Sequence, residues 1–297
     1  MDGLLRAGVG VPHSCRAGAC QSCLLKARGQ TPPPGSQTGL SPALVEQGYF
    51  LACLARPVED LKVELPGAGV RMSARVIDTG RLSDSVVRVR LAPETPLGHR
   101  AGQYLTLFRG DGLARSYSIA SLPSEGALEL HVRVIPGGLM STWLANEVQP
   151  GTELAAQGPA GNCFYTGGAP DQPLLLAGTG TGLAPLYGVA RDALAQGHAG
   201  PIRLFHGALD SRGLYLESEL TRLANAHPNF QYHPAPLDTH GPLPDMIQAE
   251  HRHLNGWRGF VCGDPPIVNL LRKRFFLAGM ASREIFSDAF VPTPPAR

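Results

Sequence analysis

Nowhere in these 297 residues does an apolar run approach the roughly 18 positions that a membrane-spanning helix requires. Arg6 interrupts the only stretch near Met1 with the makings of a signal-peptide core, so no membrane association and a cytoplasmic location are expected. An excess of one charge is lacking too. Lys and Arg number 26 against 24 Asp and Glu, a formal net charge of +2, which removes the electrostatic reason to bind nucleic acid. Internal repeats are absent. A disulfide framework is absent as well, because three of the six cysteines, Cys15, Cys20 and Cys23, crowd into nine residues, with Cys53 following and Cys163 and Cys262 isolated. In a reducing compartment that crowding points to metal ligation. What is present is 43% hydrophobic residues, enough for a sizeable core, with 36 Gly and 27 Pro that predict many turns and short strands. The length suggests two domains, or more where one is small.

Three zones separate by pattern. Residues 1–66 hold the cysteine cluster, a Pro/Gly/Ser/Thr-rich connection at 30–36 and an alternating run, Asp60-Leu61-Lys62-Val63-Glu64-Leu65, that reads as a strand. Pro66-Gly67-Ala68-Gly69 is a natural linker. Over 71–168 the chain alternates polar and apolar residues at 74–77, 85–91, 103–108 and 128–134, the mark of short antiparallel strands in a barrel or sandwich. From 169 to 297 the pattern changes. Pro173-Leu174-Leu175-Leu176-Ala177 is continuous in the way of a strand buried on both faces, a helix-length segment spans 183–196, and further apolar strands at 202–205 and 259–262 alternate with helical stretches. That rhythm predicts a mostly parallel α/β sheet.

The cysteines are spaced C-x4-C-x2-C with a fourth after 29 intervening residues. Zinc sites place ligands as two separated pairs, whereas three thiolates on one loop and one from afar are what a 2Fe–2S cluster of the plant type takes. The metal ligands are therefore expected to be Cys15, Cys20, Cys23 and Cys53. Here the sequence resembles the plant-type ferredoxin domain, of β-grasp-like fold. Such domains begin with a β-hairpin ahead of the helix that leads to the first cysteine, yet Met1 already stands in that helix. The first hairpin is thus expected to be missing, and the chain to be a shortened form of a longer protein. Gln21 replaces a glycine common in such loops.

Arg115-Ser116-Tyr117-Ser118-Ile119-Ala120-Ser121 sets a cation, an aromatic ring and hydroxyls on a strand, with Arg115, Tyr117 and Ile119 on one face and Ser116, Ser118 and Ala120 on the other. A flavin needs a flat partner and hydrogen bonds at its reactive edge, and its diphosphate needs positive charge. Pro136-Gly137-Gly138-Leu139-Met140-Ser141-Thr142 then opens a helix at Trp143, whose free amides suit a pyrophosphate. The ordered pair resembles the ferredoxin–NADP reductase superfamily. By that resemblance Arg115 contacts phosphate, Tyr117 packs on FAD and Ser118 bonds near its N5. Ile119, Arg133, Val134, Gly137, Gly138, Met140, Ser141 and Thr142 complete the expected FAD contacts.

Gly178-Thr179-Gly180-Thr181-Gly182-Leu183-Ala184-Pro185 follows an apolar strand and precedes a helix, the context in which a glycine-rich turn binds a nucleotide. The strict G-x-G-x-x-G fails at Leu183, but the form closed by Pro185 is similar to that of the same superfamily. The resemblance implies that Cys262, Gly263 and Asp264 face the nicotinamide, with Cys262 acting sterically, and that Phe290 covers the flavin. Tyr117, Ser118, Cys262 and Phe290 are the expected catalytic set. Asp210 and Arg212 stand where the adenosine ribose would bind, and the lack of a basic cluster there favours NADH over NADPH. The ten histidines are scattered and read as surface residues, His251 and His253 included.

A hydride carries two electrons and a 2Fe–2S cluster takes one at a time, so a flavin must stand between them. The order NADH to FAD to cluster follows. The resemblance is closest to the N-terminal-ferredoxin reductases of ring-hydroxylating oxygenase systems, which implies a redox protein acceptor, an oxygenase component. Two other readings remain open: reduction of a small diffusible quinone, flavin or ferric chelate, and a non-catalytic relay subunit.

Overall fold

The computed structural model of the protein describes residues 1–40, 42–65, 71–167 and 169–291. The expected linker Pro66-Gly67-Ala68-Gly69, the boundary at Gly168 and the tail beyond 291 lie outside them.

The first zone holds α1 (Asp2–Arg6), β1 (Leu24–Ala27), α2 (Pro42–Glu46), β2 (Tyr49–Leu51) and β3 (Val63–Glu64). Among the described residues, its strands form a three-stranded antiparallel sheet in the order β2-β1-β3. Leu24, Leu25, Phe50 and Leu51 are fully buried, and the core they form includes Cys23 and Cys53, so the sheet grips two of the four cysteines directly.

The second zone holds β4 (Met72–Ser83), β5 (Val86–Pro93), β6 (Tyr104–Phe108), β7 (Ala114–Ser118), β8 (Leu128–Arg133), α3 (Leu139–Asn146) and β9 (Glu153–Ala160). These strands make an antiparallel sheet ordered β7-β6-β9-β4-β5-β8, and an Ile119–Leu130 bridge draws its two edges together as a barrel requires. Inward residues such as Val76, Val89, Leu105, Leu107 and Leu130 alternate with outward polar ones.

The third zone runs β10 (Leu174–Thr179), α4 (Leu183–Ala195), β11 (Ile202–Ala208), α5 (Glu217–Ala226), β12 (Phe230–Pro236), α6 (Leu237–His240), α7 (Leu243–Glu250), β13 (Arg258–Gly263), α8 (Pro265–Leu277) and β14 (Ile285–Ala289). Its sheet is parallel throughout, in the order β12-β11-β10-β13-β14. The all-apolar β10 lies at its centre. β12 carries Pro234 and Pro236, which donate no ladder hydrogen bond, and it stands at the edge where that is tolerated.

Two expectations are corrected here. The helix after Gly138 starts at Leu139, four residues before Trp143, because Gly138 takes the extended N-cap conformation. The histidines are not all on the surface: His99, His131, His198 and His206 are buried. His131 stays inside because Glu129 and the Tyr215 hydroxyl meet its ring nitrogens at 3.0 and 3.2 Å.

Candidate functional site

All four expected metal ligands are buried, and none is in a disulfide. Their thiols meet in two couples, Cys15 with Cys20 and Cys23 with Cys53. Within each couple one sulfhydryl donates to the other, which pushes the Cys15 and Cys23 thiols up and holds Cys20 and Cys53 down. Among the described residues no three His, Cys, Asp or Glu side chains converge as one ion would require. Two thiol couples side by side suit two irons instead, since four thiolates shared by two metals fall two to each. The loop turns through the left-handed region at Arg16, Gly18 and Gln21. The amides of Ala17 and Cys20 thereby reach Cys15 Sγ at 3.4 and 3.3 Å, and the Ser22 hydroxyl lies 3.0 Å from Cys20 Sγ. Such donors are what tune a cluster's potential. Gln21, at φ 54°, holds a conformation that favours glycine, and its side-chain amide anchors it to the Gly39 carbonyl at 2.8 Å.

The expected flavin strand is β7. Arg115 is half-buried, burial lowers its pKa, and among the described residues it forms no ion pair, so a buried cation is left for an anionic diphosphate. Tyr117 packs against the barrel core, where burial pushes its phenol up. Ser118 donates to Asp288 Oδ2 at 3.3 Å. Asp288 on β14 lies across the ladder from Cys262 on β13, and desolvation between barrel and sheet pushes its carboxyl up to about 6. Cys262 is buried with its sulfur 3.3 Å from Cys163 Sγ, and burial raises its pKa well above the usual thiol value. Phe290 follows directly, its N–H donating to the Gly263 carbonyl at 2.8 Å. Ser118, Asp288, Cys262 and Phe290 thus meet where barrel and parallel sheet face each other. Asp288 escaped sequence reasoning. The available signal was a carboxylate set among apolar neighbours two positions before the aromatic.

Other expected contacts separate. Ile119 is wholly buried in the barrel core, and its N–H and carbonyl are taken by Gln103 and Gly102, so it offers a cofactor nothing. Met140 also points into that core. Ser141 is buried and its hydroxyl accepts from the Ile135 N–H at 3.1 Å, which leaves Gly137, Gly138 and Thr142 to present the start of α3. Arg133 is exposed, and Val134 is tied by its N–H to the Ser85 carbonyl.

At the glycine-rich turn, a Cβ on Gly182 would lie 2.3 Å from the Cys262 carbonyl oxygen and one on Gly178 2.7 Å from Leu186 Cδ1, whereas Gly180, at φ 53°, faces open space. The turn is packed on its sheet side and bare on the other, a cradle for phosphate at the head of α4. Gly263 fits against Thr179, whose hydroxyl accepts the Asp264 N–H at 3.0 Å. Thr181 stays partly open beside the turn, while Pro185 is buried in the first turn of α4. His206 at the end of β11 supports the Gly180 carbonyl at 3.1 Å, and burial lowers its pKa to about 4, so it stays neutral.

Comparison with known proteins matches three family models in succession: a 2Fe-2S iron-sulfur cluster binding domain over residues 1–58, an oxidoreductase FAD-binding domain over 73–165 and an oxidoreductase NAD-binding domain over 176–273. The reductase subunit of an aromatic O-demethylase from Amycolatopsis is 33% identical over 98% of this chain and 93% of its own length. The ferredoxin–NAD(P)(+) reductase component of a Ralstonia naphthalene 1,2-dioxygenase/salicylate 5-hydroxylase system is 32% identical over 99% and 93%. Among solved structures, an Amycolatopsis cytochrome P450 reductase superposes with a TM-score of 0.74 at 33% identity, covering 97% of this chain and 93% of that one.

Proposed function

The chain belongs to the iron–sulfur flavoprotein reductases, which join a 2Fe–2S domain to FAD- and NAD-binding domains, and from that premise we propose that it passes electrons from NADH to an oxygenase component. It is an NAD(P)H-dependent oxidoreductase, so the reading as a non-catalytic relay falls away. FAD, when bound, takes two electrons as a hydride and returns them one at a time. The chain's own residues do the rest. Cys15, Cys20, Cys23 and Cys53 hold the cluster. Arg115 meets phosphate, Tyr117 supports the ring, and Ser118 Oγ, already bonded to Asp288 Oδ2, offers a proton path at the reactive edge. Gly178 to Gly182 cradle the dinucleotide, Cys262 and Gly263 leave space for the nicotinamide, and Phe290 covers the flavin.

The observation that carries this reading is that the loop bearing Cys20 rests on the strands that bear Ser118, with Thr106 Oγ1 donating to the Cys20 carbonyl at 2.8 Å. Anaerobic titration with NADH should bleach flavin absorbance and then cluster absorbance. A bleached flavin beside a permanently oxidised cluster overturns the proposal.

NADH is favoured because Asp210, just past the end of β11, pins Arg212 at 2.6 Å and so occupies the cation that a 2′-phosphate would need. A higher kcat/KM with NADPH would contradict this. The oxygenase partner is carried over from the relatives, whose names place them in aromatic demethylase and dioxygenase systems. A cytoplasmic location belongs to the proposal because free ligand thiols need a reducing compartment. So does a division into domains at 1–66, 71–168 and 169–297.

A further inference from the structure

Three consecutive carbonyls of the cysteine loop, those of Ala19, Cys20 and Gln21, are each held by a barrel side chain. Tyr104 donates to Ala19, Thr106 to Cys20 at 2.8 Å, and Gln157 Nε2 to Gln21 at 3.1 Å. Thr106 on β6 stands in register with Ser116 on β7 and Gln157 on β9, so a row of polar side chains crosses three strands beneath the loop. The Ser116 hydroxyl, 2.9 Å from that of Thr106, closes the row. The next outward row along β6 and β7 is Tyr104 with Ser118, and Ser118 carries Asp288. Two residues of strand, about 7 Å, therefore separate the side chains that hold Cys20 from those that meet the hydride-accepting edge. Thr106 and Gln157 are buried at this contact, where a neutral polar side chain is kept only if it has a partner.

We infer that Thr106 and Gln157 are positioning residues for internal electron transfer: by clasping the carbonyls of Cys20 and Gln21 they hold the cluster loop on the flavin strands, with Cys20 the ligand nearest the flavin. The inference rests on the functional reading above. No bond is made or broken in docking. The two side chains set how often cluster and flavin lie within transfer distance, and they touch neither nucleotide. Each hydrogen bond lost shifts the ratio of docked to undocked forms about fivefold, and two together about thirtyfold.

The test is the double variant Thr106→Val/Gln157→Leu in the loaded, full-length protein. Stopped-flow absorbance separates flavin reduction by NADH from cluster reduction by flavin. The first rate should hold and the second should fall, by up to the thirtyfold shift, with Thr106→Ser close to wild type because its hydroxyl remains. A second readout does not depend on turnover: pulsed electron paramagnetic resonance between the dithionite-reduced cluster and a gadolinium(III) chelate, which dithionite does not reduce, on Glu147→Cys, an exposed position at the end of α3 in a protein whose native thiols are all buried. The wild type should give one narrow distance and the double variant a broad one. Unchanged cluster reduction with an unchanged distance overturns the inference. A wild-type cluster that NADH never reduces sinks the functional reading, and the distance measurement then still judges the docking by itself.

Discussion

Asp288 shows how one residue joins the barrel to the parallel sheet. Its carboxyl titrates near 6 when folded against an ordinary value of 3.8, so the folded state binds that proton more tightly than the unfolded chain. The raised value means that its contribution is greatest below about pH 4, is lost as the pH climbs through 6, and then levels off. Asp288→Asn should therefore leave stability near pH 4 unchanged and raise it at pH 8 by up to about 3 kcal/mol, read as a pH-dependent rise in Tm of the nucleotide-free protein. Gly182 tells the complementary story, because a Cβ there would strike the Cys262 backbone. Gly182→Ala should weaken nucleotide binding by at least about 1.4 kcal/mol, a tenfold rise in KM for NADH, while flavin and iron content stay at wild-type levels. The glycine was legible as part of a motif. Asp288 was not, because a lone carboxylate acquires meaning only from what β14 places it against.

At the scale of elements, β10 was legible because its unbroken apolar run leaves a strand no exposed face, and it is the centre of the parallel sheet. Leu176, wholly buried between α4 and β13, should cost about 2–5 kcal/mol when truncated to Ala, measurable as a lowered denaturation midpoint of the nucleotide domain. The strands β9, β12 and β14 were less visible. β12 holds two prolines, and β9 runs through Gly158 and Pro159, compositions that read locally as loop. Their strand character comes from neighbours already in place: β11 for β12, β13 for β14, and both β4 and β6 for β9. The start of α3 was misplaced by four residues because the glycine pair hid which of its members was the cap.

Across the whole molecule, the parallel sheet supplies the nucleotide turn, the barrel supplies the flavin strand, and the small antiparallel sheet supplies the cluster loop. Arg191 of α4 pairs with Glu125 beside β8, and His131 of β8 meets Tyr215, so sheet and barrel are also tied by polar contacts. Cys53→Ser should split the activities: NADH-driven reduction of ferricyanide persists, while the 2Fe–2S spectrum and delivery to a protein acceptor are lost. Physiological activity that survives without the cluster would favour a small diffusible acceptor instead. The sequence alone determined the identity of the parts, because thiol spacing, a cation–aromatic–hydroxyl strand and a glycine turn are local patterns imposed by the chemistry of iron, flavin and phosphate. Only the tertiary structure decided how those parts face one another. The pairing of the four thiols, the meeting of Ser118 with Asp288 and the row of side chains under Cys20 join residues up to 170 positions apart, and such contacts arise from packing and strand register, which no local pattern encodes.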